Sequence, residues 1–213
     1  MTKKIPAKLI SLTLVLCFLI PLVSCKKKSA LDLPDDTPLL IFNGETLMDV
    51  SYFRKLYTEM NVSNDILGTA VSDEKELFIH EAEVLILSRI AEMYHISADT
   101  EEISEQYDEH MEEIADESSY PGELTYFLTL RDALNFQPSE LKQFVVEQTY
   151  HDYNVTNVID DISDSYLFIT DKDILLEYLQ INILEIVETS EVEIGFPGVQ
   201  VNKLTFMDVL EEH

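Results

Sequence analysis

Apolar side chains recur with helical spacing along most of the chain, and the longest such run covers residues 73–95. Leu77 and Val84 belong to one apolar face of this run, and further apolar residues widen the face to much of the circumference. Asp73 and Glu76 have the spacing of a capping box at its start. The pattern predicts a long central helix that is covered on several sides.

The same periodicity predicts five further helices. Pro121 and Pro138 are placed to open two of them, because proline is well tolerated in the first turn of a helix. The predicted helix over residues 99–117 is strongly acidic and has only a thin apolar stripe, which places it on the surface. The five predicted ranges are 49–60, 99–117, 121–135, 138–162 and 174–187.

Short runs that favour β-structure flank the helical part. Residues 39–42 are apolar and are followed by the turn signal Asn43-Gly44, which predicts a strand and a turn before the first helix. That helix is expected to leave Glu59 in water. Alternating apolar residues over 192–201 surround a Pro-Gly turn and predict two more short strands. The predicted fold is therefore mainly α, with a short strand near each end.

The first 25 residues follow a different pattern. Three lysines precede an apolar run over residues 9–22 that is too short for a comfortable membrane span, and small Ser24 precedes Cys25. Leu22-Val23-Ser24-Cys25 resembles a bacterial lipobox. The resemblance implies a lipoprotein signal peptide at 1–24 and a mature chain that starts at Cys25, acylated with palmitate-type chains and held to a membrane. A transmembrane anchor with an unused cysteine is the alternative.

These signals divide the chain into four predicted segments. Pro34, Pro38 and the aspartates between them favour an extended, solvated linker. Directly behind the predicted lipid, three consecutive lysines each add about 1 kcal/mol of attraction to anionic headgroups. The segments are a signal peptide at 1–24, a lipidated tether at 25–38, a helical domain at 39–189 and a short C-terminal β/helical remnant at 190–213.

Charge and cysteine content narrow the classes of partner. The chain has 41 acidic and 14 basic residues, and removal of the signal peptide with its three lysines changes the net charge from −27 to −30. Nucleic-acid phosphates repel so acidic a protein, so nucleic acid is excluded as a partner. Cys17 leaves with the signal peptide and Cys25 carries the lipid. The mature chain therefore has no disulfide and depends on its packed core.

Catalytic motifs are absent from the sequence. It has no GxSxG, P-loop, GxGxxG, CxxC or EF-hand pattern. Glu76, His80 and Glu83 share a helix face by their spacing, which suits the start of a metal site or an acid–base pair. No further ligand accompanies them, and an ordinary solvated helix edge explains the same spacing. We expect a protein that is not an enzyme and that has no metal and no cofactor.

Three stretches carry a family resemblance: FNGETLMDVSYFRKLY (42–57), AEMYHISADTEEISEQYDEHM (91–111) and LTYFLTLRDALNFQPSELKQFVVEQ (124–148). Together they resemble the N-terminal domain of the SurA-type and PrsA-type extracytoplasmic chaperone-foldases, over roughly residues 39–180. The resemblance implies a multi-helix domain whose N-terminal strand pairs with a strand farther along, here with 199–204. Such foldases usually carry a parvulin-type prolyl isomerase domain, which residues 190–213 cannot accommodate.

The resemblance also implies polypeptide clients. We interpret the chain as a membrane-anchored extracytoplasmic lipoprotein that binds unfolded or secreted polypeptides as a holdase-like chaperone without isomerase activity. The alternative is a non-catalytic interaction module that binds one folded partner at the cell surface. Aromatic residues on two neighbouring predicted helices are the candidates for polypeptide binding: Tyr126, Phe127, Phe136, Phe144 and Tyr150.

Overall fold

The fold is described by a computed structural model over residues 29–68, 73–115, 122–167 and 169–213. The predicted signal peptide and lipobox, with Cys25, lie outside these ranges. Within them the architecture is mainly α, as predicted, with seven α-helices and one three-stranded sheet. The helices are α1 (Val50–Leu67), α2 (Glu74–Tyr94), α3 (Thr100–Ile114), α4 (Glu123–Leu134), α5 (Pro138–Asp164), α6 (Lys172–Glu188) and α7 (Met207–Glu212).

Aspartate side chains begin four of these helices by accepting hydrogen bonds from backbone N–H groups of the first turn. The capping box predicted for α2 is present in full. Helix α1 continues past residue 60, where a break was predicted, and ends at Gly68, whose φ of 70° forms a left-handed cap. The four capping residues are Asp49, Asp73, Asp99 and Asp171.

The sheet joins the two ends of the domain. Strand β1 (Pro38–Phe42) lies in the centre, with β2 (Glu45–Asp49) on one side and β3 (Val192–Ile194) on the other, both antiparallel to it. The predicted pairing of an N-terminal strand with a C-terminal strand is therefore confirmed. Strand β2 was not predicted, because its mostly polar residues bury only Met48.

The partner of β1 differs from the one expected by family analogy. Leu40 lies opposite Ile194, so residues 192–194 take the place expected for 199–204. Residues Val201–Lys203 form a 3₁₀ turn, so the predicted second C-terminal strand is also wrong. The chain leaves the sheet after Gly195, the residue that follows β3.

Gly195 directly follows β3 at a point where the backbone of β1 leaves no room for a side chain. A Cβ at this position would be 2.3 Å from the carbonyl oxygen of Pro38. The chain then turns inward, and the ring of Phe196 stacks on Phe78 with centroids 4.3 Å apart. Residues after the strand therefore enter the core instead of extending the sheet.

Helix α2 is the central helix, as its sequence predicted. Its buried residues include Phe78, Ile86 and Ile90, and they occupy most of its circumference. Helix α5 packs along α2 and α3, α4 packs on α1, and α7 closes against α2 and α6. This arrangement leaves α6 with neighbours on only part of its surface.

The segments outside the predicted 39–189 domain pack into the same core. Ala30, Phe206 and Val209 are fully buried. Residues Ala30–Asp32 form a 3₁₀ turn, although 25–38 was expected to be a solvated tether. The packed core therefore includes residues before 39 and after 189.

Candidate functional site

The aromatic residues predicted to bind polypeptide do not form one open surface. Phe144 is 3% exposed, and its ring packs against Phe136 with centroids 6.0 Å apart. The Tyr150 hydroxyl donates a hydrogen bond to Glu92 of α2, at 2.9 Å. Phe144 thus belongs to the core, and Tyr150 joins α5 to α2.

The other two predicted residues lie where α4 meets its neighbours. The Tyr126 hydroxyl donates to the Glu59 carboxylate of α1 at 2.9 Å. Phe127 packs edge-on against Tyr126 and against Tyr107 of α3, with centroid separations of 5.3 and 6.3 Å. Both rings are partly buried and fasten α4 to α1 and α3.

An acidic seam lies between α1, α2 and α5. Burial, with the nearby charges of Glu59 and Asp152, raises the pKa of Glu81 to about 8. Burial also raises the pKa of Glu59, although the hydrogen bond from Tyr126 lowers it. Glu59 is half-buried and accepts the Tyr126 hydrogen bond, so the expectation that it lies in water is wrong. Glu81 therefore holds its proton to a higher pH than an exposed glutamate does.

The helix face predicted as a possible metal site has another role. Glu83 is 2% exposed, and its carboxylate accepts hydrogen bonds from the backbone N–H groups of Thr205 and Phe206 at 2.6 and 2.9 Å. The expectation of a solvated edge is wrong at this position, because the start of α7 covers it. In the described part of the chain, no three His, Cys, Asp or Glu side chains are arranged to hold a metal ion.

A serine–histidine pair joins α2 to α5. The Ser88 hydroxyl and His151 Nδ1 are 2.8 Å apart, and Asn154 donates to the same hydroxyl oxygen at 2.9 Å. Ser88 is only 1% exposed, and burial lowers the pKa of His151 to about 4. A neutral pair that substrate cannot reach supports packing of the two helices, not nucleophilic attack.

An open groove lies where the C-terminal end of α2 meets α5 and α6. Its volume is about 430 Å³. Apolar side chains form its floor and polar side chains stand among them at the rim, which is the composition of a ligand-binding cleft. The floor consists of Ile90, Ile96, Val158, Ile162 and Ile186, and the rim of Tyr94, Asp161, Asn182, Glu185 and Thr189.

The rim carries negative charge without local compensation. Asp161 and Glu185 are exposed, and neither makes an ion pair with any described residue. Between residues 143 and 202 the sequence contains twelve Asp and Glu residues but a single basic residue other than histidine, Lys172. The groove therefore combines an apolar floor with a cation-attracting rim.

Helix α6, whose C-terminal half lines the groove, also carries exposed apolar side chains nearer its start. Ile174, Tyr178 and Ile181 recur at i, i+4 and i+7, and their exposed fractions are 46%, 44% and 56%. We call these three residues the α6 stripe. The other side of α6 is also apolar and is buried in the core. A helix apolar on two sides is the signal that could have identified this surface from the sequence.

Two further findings bear on the family and the membrane. Among the helices in the described ranges, none is long and apolar enough to cross a membrane. Comparison of the chain with family models, with curated proteins and with solved structures returned no match. The resemblance to the SurA-type and PrsA-type domain therefore stays a prediction.

Proposed function

We propose that this protein is an extracytoplasmic lipoprotein, anchored to the membrane through Cys25, that binds unfolded or secreted polypeptides as a holdase-like chaperone without prolyl isomerase activity. The observation that carries the proposal is the groove between α2, α5 and α6, together with the α6 stripe on one of the helices that line it. The groove supplies the apolar contact that a holdase needs, and the predicted lipobox supplies the location.

The dimensions of this surface suit a polypeptide segment. From Ile174 to Ile186, α6 extends for about 18 Å at 1.5 Å per residue. An extended chain covers that length with five or six residues. Burial of one large apolar side chain contributes about 1.5–3 kcal/mol, so two or three such contacts give transient binding that tolerates many sequences. That tolerance is the property expected of a holdase.

Charge selects among polypeptides. Asp161 and Glu185 stand at the rim beside the apolar floor. Lysine or arginine residues next to an apolar client residue would contact these carboxylates, whereas acidic clients would be repelled. We therefore propose clients in which apolar and basic residues are adjacent.

The test is suppression of aggregation. Near-stoichiometric protein should slow the aggregation of an unfolded, basic client, and the double variant Tyr178→Ser, Ile181→Ser should lose most of this effect. Leu128→Ser is the matched control, because Leu128 is 42% exposed on α4, outside the groove and the α6 stripe. Equal activity of the double variant and the control would contradict the proposed site. Acceleration of proline-limited refolding would contradict the proposed absence of isomerase activity.

The second candidate is an interaction module that binds one folded partner. The regular i, i+4, i+7 spacing of the α6 stripe on a rigid helix favours it, because that spacing is typical of helices that dock into a groove of a partner. Purification of the protein from membranes distinguishes the two functions. One dominant, stoichiometric partner supports the module, and a diffuse set of unfolded clients supports the chaperone.

A further inference from the structure

The N-terminal residues of the described chain are clamped onto the domain. The Ser29 hydroxyl donates to both carboxylate oxygens of Glu74, at 2.9 and 2.8 Å, and the backbone N–H of Ala30 donates to the same carboxylate at 2.6 Å. Ala30 itself is fully buried. The chain is therefore fixed to the start of α2 from residue 29 onward.

A second clamp follows within a few residues. The Arg54 guanidinium of α1 donates to the carbonyl oxygens of Leu31 and Leu33, at 2.9 and 3.1 Å, and forms an ion pair with Asp35. We call residues 29–35 the strap. Since α1 and α2 both hold the strap, release of one contact would not free it.

The strap shortens the distance between the domain and the predicted lipid. Only Lys26, Lys27 and Lys28 separate Cys25 from Ser29. Four fully extended residues span at most about 14 Å, whereas the tether expected from the sequence, residues 25–38, would span about 50 Å. The start of α2 must therefore stay close to the bilayer.

The groove lies at the opposite end of the same helix. Helix α2 has 21 residues, and its last residue, Tyr94, lines the groove. At 1.5 Å per residue the two ends of α2 are about 30 Å apart. Residues 29–213 carry a net charge of −33, because six lysines lie before Ser29. Anionic headgroups attract the three lysines next to the anchor and repel the acidic domain. This combination favours an orientation in which the start of α2 is near the bilayer and its other end points away from it.

We infer that the protein has a membrane-facing end, formed by the strap, the start of α2 and the loop at Phe196–Gly198, and that it presents the groove about 30 Å farther from the bilayer. This inference rests on the proposed lipid anchoring at Cys25. The membrane-facing end includes an open cavity of about 450 Å³ that is lined by Ser29, by Asp73, Glu74 and Lys75 at the start of α2, and by the loop at Phe196–Gly198. The carboxylates of this end do not attract anionic headgroups, so the lysines before Ser29 supply the attraction, and clients approach the groove from the other side.

Energy transfer to labelled lipid tests the orientation. In the mature lipoprotein Cys17 is removed and Cys25 is blocked, so a cysteine introduced by Lys75→Cys or Met93→Cys is the only free thiol. Both positions are exposed, near opposite ends of α2. Each variant is purified from membranes, labelled with a donor and reconstituted into vesicles of anionic phospholipid that contain a headgroup-linked acceptor. Transfer from position 75 should exceed transfer from position 93 several-fold.

A variant with a longer linker between the lipid anchor and the domain provides the control. A flexible Gly/Ser insertion of twelve residues between Lys28 and Ser29 adds about 20 Å of reach and should remove most of the difference between the two positions. The same insertion after His213 should leave the difference unchanged. Equal transfer from both positions in the native-length protein would overturn the orientation while anchoring stands. Failure of the full chain to incorporate into vesicles would instead overturn the proposed anchoring, and the orientation with it.

Discussion

The Glu83 carboxylate, in the middle of α2, accepts a hydrogen bond from the backbone N–H of Phe206, 2.9 Å away, and so caps the start of α7. A buried acid from the central helix thereby fixes the C-terminal segment of the domain. The geometry is favourable because the N–H groups at a helix start carry partial positive charge. The side chain of Phe206, itself fully buried, is held in the core by the same contact.

Replacement of this carboxylate should be costly. Glu83→Ala leaves the N–H groups of Thr205 and Phe206 without their acceptor in a buried place, and we expect a loss of about 2–3 kcal/mol of unfolding free energy. Urea denaturation measures it. Glu105→Ala removes the same charge from an exposed position on α3 and should change stability by less than about 0.5 kcal/mol. Similar losses in the two variants would contradict the capping role.

Stability should rise as the pH falls from 8 to about 6. Burial raises the pKa of Glu81 to about 8 and that of Glu83 to about 7, so the folded state binds protons that the unfolded state, with ordinary glutamate pKa values, releases above about pH 4.5. Below pH 6.5 the depressed pKa of His151, about 4, acts in the opposite direction, because only the unfolded state gains that proton. Two glutamates outweigh one histidine over most of this range, so denaturation midpoints should rise steeply from pH 8 to about pH 6 and then more slowly toward pH 4.

A single substitution identifies the contribution of Glu81. Glu81→Gln cannot lose a proton, so the variant should be more stable than the native protein at pH 8 and should show a smaller change between pH 8 and pH 6. Glu105→Gln is the control, with the native pH dependence. A native protein whose stability increases steadily up to pH 8 would refute the assignment.

Gly195 should tolerate no side chain. In Gly195→Ala the new Cβ would lie 2.3 Å from the carbonyl oxygen of Pro38, and because this neighbour is backbone it cannot rotate away as a flexible side chain would. Overpacking of this kind costs about 1–3 kcal/mol. Thermal unfolding measures the loss. Gly198→Ala meets no atom within 4 Å and tests backbone conformation alone, so a larger loss there than at Gly195 would contradict the steric account.

The affinity of the groove for a client should depend on the charge of its rim. We expect the double variant Asp161→Lys, Glu185→Lys to bind a peptide of mixed apolar and basic residues several-fold more weakly, since each partly exposed charge pair contributes about 0.5–1 kcal/mol. Titration of the labelled peptide by fluorescence anisotropy measures the affinity, which should also fall with added salt. Glu101→Lys, Glu105→Lys on α3 carries the same charge change away from the groove. Equal weakening by both pairs would indicate an effect of net charge and not of the rim.

Local sequence determined where the helices start and how the central one is buried. Asp73 and Glu76 cap α2 as their spacing requires, and the wide apolar face of that helix required cover on several sides. Asn43-Gly44 specified the turn after β1. These features depend on residues within one or two helical turns of each other, so the sequence alone contains the information.

Only the tertiary structure decided which surfaces remained open. Phe144 and Ile181 are both large apolar residues on predicted helices, but Phe144 is covered by its neighbours and Ile181 is 56% exposed. Glu83 looked like part of a solvated helix edge until α7, more than 120 residues later in the chain, covered it. Periodicity specifies which side chains share a helix face, but whether that face meets water depends on contacts between residues far apart in the chain, and those contacts exist only in the folded protein.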